Sequence, residues 1–111
     1  MSRFIPLSRR WFMGALLAVG TAASAQTYPS KTIEWVVPYP AGGGTDVVAR
    51  TLAEAMGKSL GQTLIINNKP GAATNIGADY VARAKADGYT IMSADTATLA
   101  ANPFLYSKLS Y

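Results

Sequence analysis

Apolar residues in this chain fall into three short runs, each followed by a glycine- or proline-rich break and then by a stretch with helical spacing. The first run, Thr32-Ile33-Glu34-Trp35-Val36-Val37, is rich in β-branched and aromatic side chains and stops at Pro38, which has no N–H to give a sheet ladder. It predicts a strand. Behind it, Pro38-Tyr39-Pro40-Ala41-Gly42-Gly43-Gly44 reads as a loop, with Thr45 or Asp46 standing where a helix N-cap belongs. Val48, Leu52, Met56 and Leu60 then recur at steps of four, which predicts one apolar stripe on a helix closed by Gly61.

The second unit repeats the plan. Thr63–Asn67 is the strand, Asn68–Thr74 the loop, and a helix opening near Asn75 turns Ile76, Tyr80, Val81 and Ala84 towards a core. Asp87-Gly88 makes a turn into a third strand, Tyr89–Ala94, and a short helix over Thr96–Ala100 follows until Asn102-Pro103 ends it. Strands alternating with helices in this way predict parallel β–α–β crossovers, hence an α/β fold whose sheet is covered on both faces.

Residues 1–25 stand apart from this pattern. A basic opening is followed by the apolar run Gly14-Ala15-Leu16-Leu17-Ala18-Val19-Gly20, too short for the ~20 residues a bilayer span needs, and by the small residues Ala23-Ser24-Ala25. The layout is that of a signal peptide cleaved before Gln26, which predicts export. Ser8-Arg9-Arg10-Trp11-Phe12 resembles the twin-arginine signature, and ordinary Sec signals also carry paired arginines, so both routes stay open. Residues 26–111 are expected to form a partial ligand-binding α/β lobe, truncated at its C-terminal end because no closing element follows Tyr111.

Charge and composition remove several classes of function. The chain carries 10 basic and 6 acidic residues, but Arg3, Arg9 and Arg10 lie in the leader, leaving seven against six in the body. Those seven are scattered and not interleaved with aromatics, which argues against a nucleic-acid footprint. With no cysteine and no histidine, thiol chemistry, Cys/His zinc sites and imidazole acid–base catalysis are excluded from this stretch.

In an open α/β sheet, ligands sit beyond the carboxyl ends of the strands, where loops run into helix N-termini. Three loops qualify. Tyr39 and Ala41-Gly42-Gly43-Gly44-Thr45-Asp46 let the backbone come close to a ligand and aim N–H groups at an anion. Gly71, Ala72, Thr74 and Asn75 add hydroxyl and amide groups, and Ser93, Asp95 and Thr96 close a third side. Neutral donors without an arginine or lysine clamp suit reversible capture of a small polar or carboxylate ligand. The same glycines would also serve as simple turn formers, and Asp46 as an acid at a helix N-terminus. Nucleotide motifs fail: the third glycine of G-x-G-x-x-G from Gly42 would fall on Val47, and a P-loop ending at Gly57-Lys58-Ser59 would need glycine at Leu52. A G-x-S-x-G serine elbow is absent as well, so no cofactor and no metal is expected and catalysis is not.

Val36-Val37-Pro38-Tyr39-Pro40-Ala41-Gly42-Gly43-Gly44-Thr45-Asp46, Asn67-Asn68-Lys69-Pro70-Gly71-Ala72, Asn75-Ile76-Gly77-Ala78 and Ala86-Asp87-Gly88-Tyr89-Thr90 together resemble the Bug/TctC family of periplasmic solute-binding proteins. Tyr28-Pro29-Ser30-Lys31, Asn102-Pro103 and Tyr106-Ser107-Lys108-Leu109 extend the likeness over the whole body of the chain. The resemblance implies a periplasmic receptor of two α/β lobes that close about a hinge and hand organic acids, amino acids or related carboxylates to the membrane permease of a tripartite tricarboxylate transporter. It also implies that Tyr39–Asp46, Pro70–Asn75 and Ser93–Thr96 line one wall of the cleft. Two other readings compete with it: an exported α/β enzyme whose catalytic residues lie beyond this sequence, and a ligand receptor serving a signalling sensor.

Overall fold

A computed structural model describes residues 27–111; the leader expected over residues 1–25 lies outside the described residues. Strands β1 (Ile33–Val37), β2 (Leu64–Asn68) and β3 (Thr90–Met92) alternate with helices α1 (Gly44–Leu60) and α2 (Asn75–Ala82). A wide π-type turn, Ala97–Ala101, leads into the short helix α3 (Asn102–Leu105). The sheet is parallel throughout, in the order β2-β1-β3, with Trp35 opposite both Ile66 and Ile91. The α/β class is as the alternation of runs predicts.

This strand order fixes where the helices go. The chain moves from β1 outward to β2, then crosses back over β1 to reach β3. Since both crossovers are right-handed by the usual rule, α1 and α2 must lie on opposite faces. Side-chain alternation agrees: Ile33, Trp35, Leu64, Ile66 and Ile91 meet Ala53 and Met56 of α1, whereas Glu34 points the other way, to Asn67 and to Tyr80 of α2.

Several sequence expectations need correction. On α1 the buried positions are Asp46, Ala49 and Ala53, with Met56 half-buried, while Val48 and Leu52 are 58% and 47% exposed and Leu60 is exposed too. Small alanines bring the helix axis close to the sheet; the stripe of large side chains predicted at steps of four turns outward instead. The N-cap is Gly43, not Thr45 or Asp46. In α2 the core face is Gly77 and Ala78, and Ile76 and Tyr80 are exposed. An added Cβ at Gly77 would stand 3.0 Å from Pro38 Cβ and 3.2 Å from Lys69 O, so glycine permits the contact between α2 and the first loop. Pro103 does not end the third helix. It occupies the first turn of α3, where its missing N–H has no intrahelical acceptor to lose. The third strand is also shorter than expected, ending at Met92 rather than Ala94.

Candidate functional site

All three strands point the same way, so the loops after Val37, Asn68 and Met92 emerge along one edge of the sheet. Between β1 and β3 the chain's winding reverses, which makes the space beyond their carboxyl ends the topological switch point of the sheet. Tyr39 follows β1 and Asp95 follows β3, and the Tyr39 hydroxyl donates to Asp95 Oδ2 across that crevice.

The first loop turns at Gly42, whose φ of +83° favours glycine, and enters α1 through Gly43. Asp46, three residues past the cap, reaches back: its carboxylate accepts from the Gly42 N–H at 2.8 Å, from Arg50 Nε at 2.9 Å and from Asn68 Nδ2 at 2.9 Å. The Arg50 guanidinium, then the Gly42 and Asn68 donors, hold this carboxyl well below the usual range. Asp46 is 2% exposed, so its side chain organises the loop from behind. Arg50, one turn further along α1, forms an ion pair with it. The N–H groups of Gly44 and Thr45 have no acceptor within their own helix.

The second loop has an uncommon backbone. Gly71, Ala72, Ala73 and Thr74 all have positive φ, at 122°, 47°, 50° and 76°. For the three with side chains, each such conformation costs on the order of 1–3 kcal/mol, so neighbouring structure has to over-determine it. The restraints are visible. Asn102, 1% exposed, donates through Nδ2 to Ala73 O and to Asn75 Oδ1, both at 2.7 Å. Thr74 Oγ1 and Thr98 Oγ1 lie 2.8 Å apart in the interior. Tyr111 Oη donates to Thr98 O at 2.9 Å and lies 3.2 Å from Asn75 Oδ1.

The third loop is anchored by Asp95, whose Oδ1 accepts from Thr98 N and Thr98 Oγ1 at 3.0 and 3.1 Å. These donors and, foremost, the Tyr39 hydroxyl depress the Asp95 pKa; the same contact raises that of Tyr39. Ser93 is turned to the α1 side, where its Oγ accepts from Trp35 Nε1 at 2.9 Å.

The predicted residues therefore divide. Ala41, Gly42, Gly43, Gly44, Thr45, Gly71, Ala72 and Thr96 are exposed along the loop edge, with Tyr39 and Asp95 half-buried between them. Asp46 and Thr74 are buried supports, and Ser93 and Asn75 are tied to neighbours. Sequence reasoning missed Asn68 and Asn102, which join the loops to one another. Asn68 Nδ2 also donates to Tyr39 O at 3.0 Å, while its Oδ1 accepts from Arg50. The available signal for Asn102 was a single amide inside the apolar stretch Leu99-Ala100-Ala101; pairing with Pro103 disguised it as a helix breaker. Two solvent-open grooves lie elsewhere, against α1 near Gly57–Ile66 and on the α2 side near Lys31 and Lys85, and neither includes a predicted site residue.

A three-stranded parallel sheet with loops and helix N-termini at the carboxyl ends of its strands has the arrangement in which open α/β folds generally bind ligands. Comparison with known proteins gives the family. Residues 48–111 match the tripartite tricarboxylate transporter family receptor, TctC. Protein BugT of Bordetella pertussis is 42% identical over 98 residues, covering 87% of this chain and 30% of BugT. Among solved structures, MatC from Rhodopseudomonas palustris with bound malate superposes with a TM-score of 0.71 at 40% identity, over 76% of this chain and 29% of that one. R. palustris Rpa4515 with adipate gives 0.72 at 37% identity, over 76% and 28%. The chain belongs to the tripartite tricarboxylate transporter receptor family, Bug/TctC, whose members are solute-binding proteins. It spans about 30% of the length of the curated relatives it matches.

Proposed function

We propose that this chain forms one wall of a periplasmic receptor that captures a small carboxylate, without catalysis, for the membrane permease of a tripartite transporter. The observation that carries the reading is that the exposed first turn of α1 and the positive-φ loop Gly71–Thr74 both follow strand carboxyl ends along the same edge of the parallel sheet. Amides aimed outward from a helix N-terminus and from a left-handed turn favour an anion without needing a cationic side chain. Malate and adipate bound by MatC and Rpa4515 support a dicarboxylate as the ligand class. The charged, apolar and small-residue sections of residues 1–25 support delivery to the periplasm.

The test is a calorimetric and thermal-shift screen of malate, adipate, succinate and citrate against the chain recovered after export. A single wall buries less of a ligand than an enclosed cleft, so dissociation constants near ~1 mM are expected. Gly43→Val places a Cβ 3.3 Å from Pro40 O and should weaken binding about tenfold, whereas a dicarboxylate screen without any response would reject the proposal.

A further inference from the structure

We propose that Tyr39, with its proton held by Asp95, is a specificity-determining acceptor in the crevice and selects dicarboxylates that carry a hydroxyl or ammonium substituent over unsubstituted ones. The inference rests on the carboxylate-receptor reading and goes further by naming the ligand subclass.

A phenol has one proton to donate and two lone pairs. Asp95 is held ionised by Tyr39, Thr98 N and Thr98 Oγ1, so it can only accept. The direction of the contact is thereby fixed: Tyr39 donates and Asp95 receives. The phenol oxygen is then left with lone pairs alone. A ligand carboxylate placed against it would find no donor and would lie beside a second negative charge. A ligand hydroxyl or ammonium finds an acceptor and, for the ammonium, an attractive field. The carboxylate ends are left to the amides at Gly44–Thr45 and at Gly71–Thr74, which are donors. The loop edge thus offers acceptors at Tyr39 and Asp95 as well as donors at the first turn of α1 and at Gly71–Thr74, a combination that suits 2-hydroxy and 2-amino dicarboxylates.

Amide chemical-shift titrations of the exported chain with succinate, malate and aspartate test this, since they read affinities in the millimolar range. Malate and aspartate should bind about fivefold or more tightly than succinate, the worth of one added hydrogen bond. Tyr39→Phe combined with Asp95→Asn removes the phenol oxygen and the carboxylate behind it together, and should bring the ratio close to one. Asp95→Asn is the second variant: its oxygen can still cap Thr98, while its N–H group faces Tyr39 and frees the phenol proton, so succinate should gain on malate. A loss of loop stability alone would weaken all three ligands together and leave their ratios unchanged. Equal binding of the three by the unsubstituted chain, or ratios untouched in both variants, overturns the selectivity while leaving the receptor reading in place. Absence of binding by all three overturns both.

Discussion

Asn102 gives the sharpest test of how the site is held. Its side chain is 1% exposed, and Nδ2 supplies the close hydrogen bonds to Ala73 O and Asn75 Oδ1. Asn102→Ala removes both donors and leaves two part-buried acceptors without them. A buried unsatisfied polar group costs about 1–3 kcal/mol. Asn75 Oδ1 keeps Tyr111 Oη nearby, so its share falls at the low end, while Ala73 also loses the restraint on its positive-φ backbone. The expected loss is about 2–4 kcal/mol, or a fall in melting temperature of about 10 °C or more for a domain of this size. Thermal and urea unfolding followed by circular dichroism measures it. Asn102→Asp is the discriminating companion: it conserves shape but sets a carboxylate against two oxygens, so at pH 7 it should be at least as damaging as alanine. Relative to the unsubstituted chain at the same pH, it should recover as pH falls towards about 4, because burial and the two facing oxygens raise its folded pKa and the protonated acid can donate once. An alanine variant within about 0.5 kcal/mol of the parent would refute the argument, as would an aspartate variant as stable as the parent.

Other expectations follow from the same geometry. Asp46, Asp79 and Asp95 all have folded-state pKa values lowered by their donors, chiefly Arg50, Arg83 and Tyr39 respectively. Their stabilisation is therefore complete above the unfolded aspartate pKa of about 4 and is lost as pH falls through the folded values, so acid unfolding monitored by fluorescence should begin below about pH 4. Asp46→Asn should flatten that slope. Gly77→Val should destabilise the chain by about 1–3 kcal/mol in urea titrations, because Pro38 and the Lys69 carbonyl leave no space for a side chain. On α1, Leu52→Ser should change stability by no more than about 0.5 kcal/mol, whereas Ala53→Leu should cost about 1–3 kcal/mol; the reverse ranking would restore the apolar stripe at steps of four.

Strand–loop–helix order was legible because it depends on local chemistry. Pro38 and Gly61 stop elements through their own backbone geometry, and Ile33, Trp35 and Val37 announce a strand by type. The face of α1 was not legible, since hydrophobicity favours Val48 and Leu52 but closeness of approach to the sheet is set by Ala49 and Ala53. Periodicity reports which residues dislike water; it does not report how near two elements come. The candidate loops were found in the sequence by their glycines and by the rule that ligands meet strand carboxyl ends. Their internal roles were not, because Asn68, Thr74 and Asn102 are tied to Asp46, Thr98 and Ala73, which lie 22, 24 and 29 residues away, and such pairings have no sequence period.

Those long-range ties bear on how a ligand would be received. Among the described residues, every buried side-chain nitrogen and oxygen has a hydrogen-bond partner, so the network behind the loops is complete before any ligand arrives. The conformational cost of holding Ala72, Ala73 and Thr74 in the left-handed region is met during folding, by Asn102 and the Thr74–Thr98 contact. Tyr39 and Asp95 likewise fix each other, and Asn68 fixes Tyr39 through its carbonyl. A wall ordered in this way loses little further entropy when a ligand settles on it. On the receptor proposal, selectivity would then depend on which atoms this edge presents, donors at the helix and left-handed turn and acceptors at Tyr39 and Asp95, rather than on loops reshaping around each candidate. Gly44→Ala, which places a Cβ in open space, should for that reason alter affinity with little change in stability, and substitutions at the buried amides should lower both.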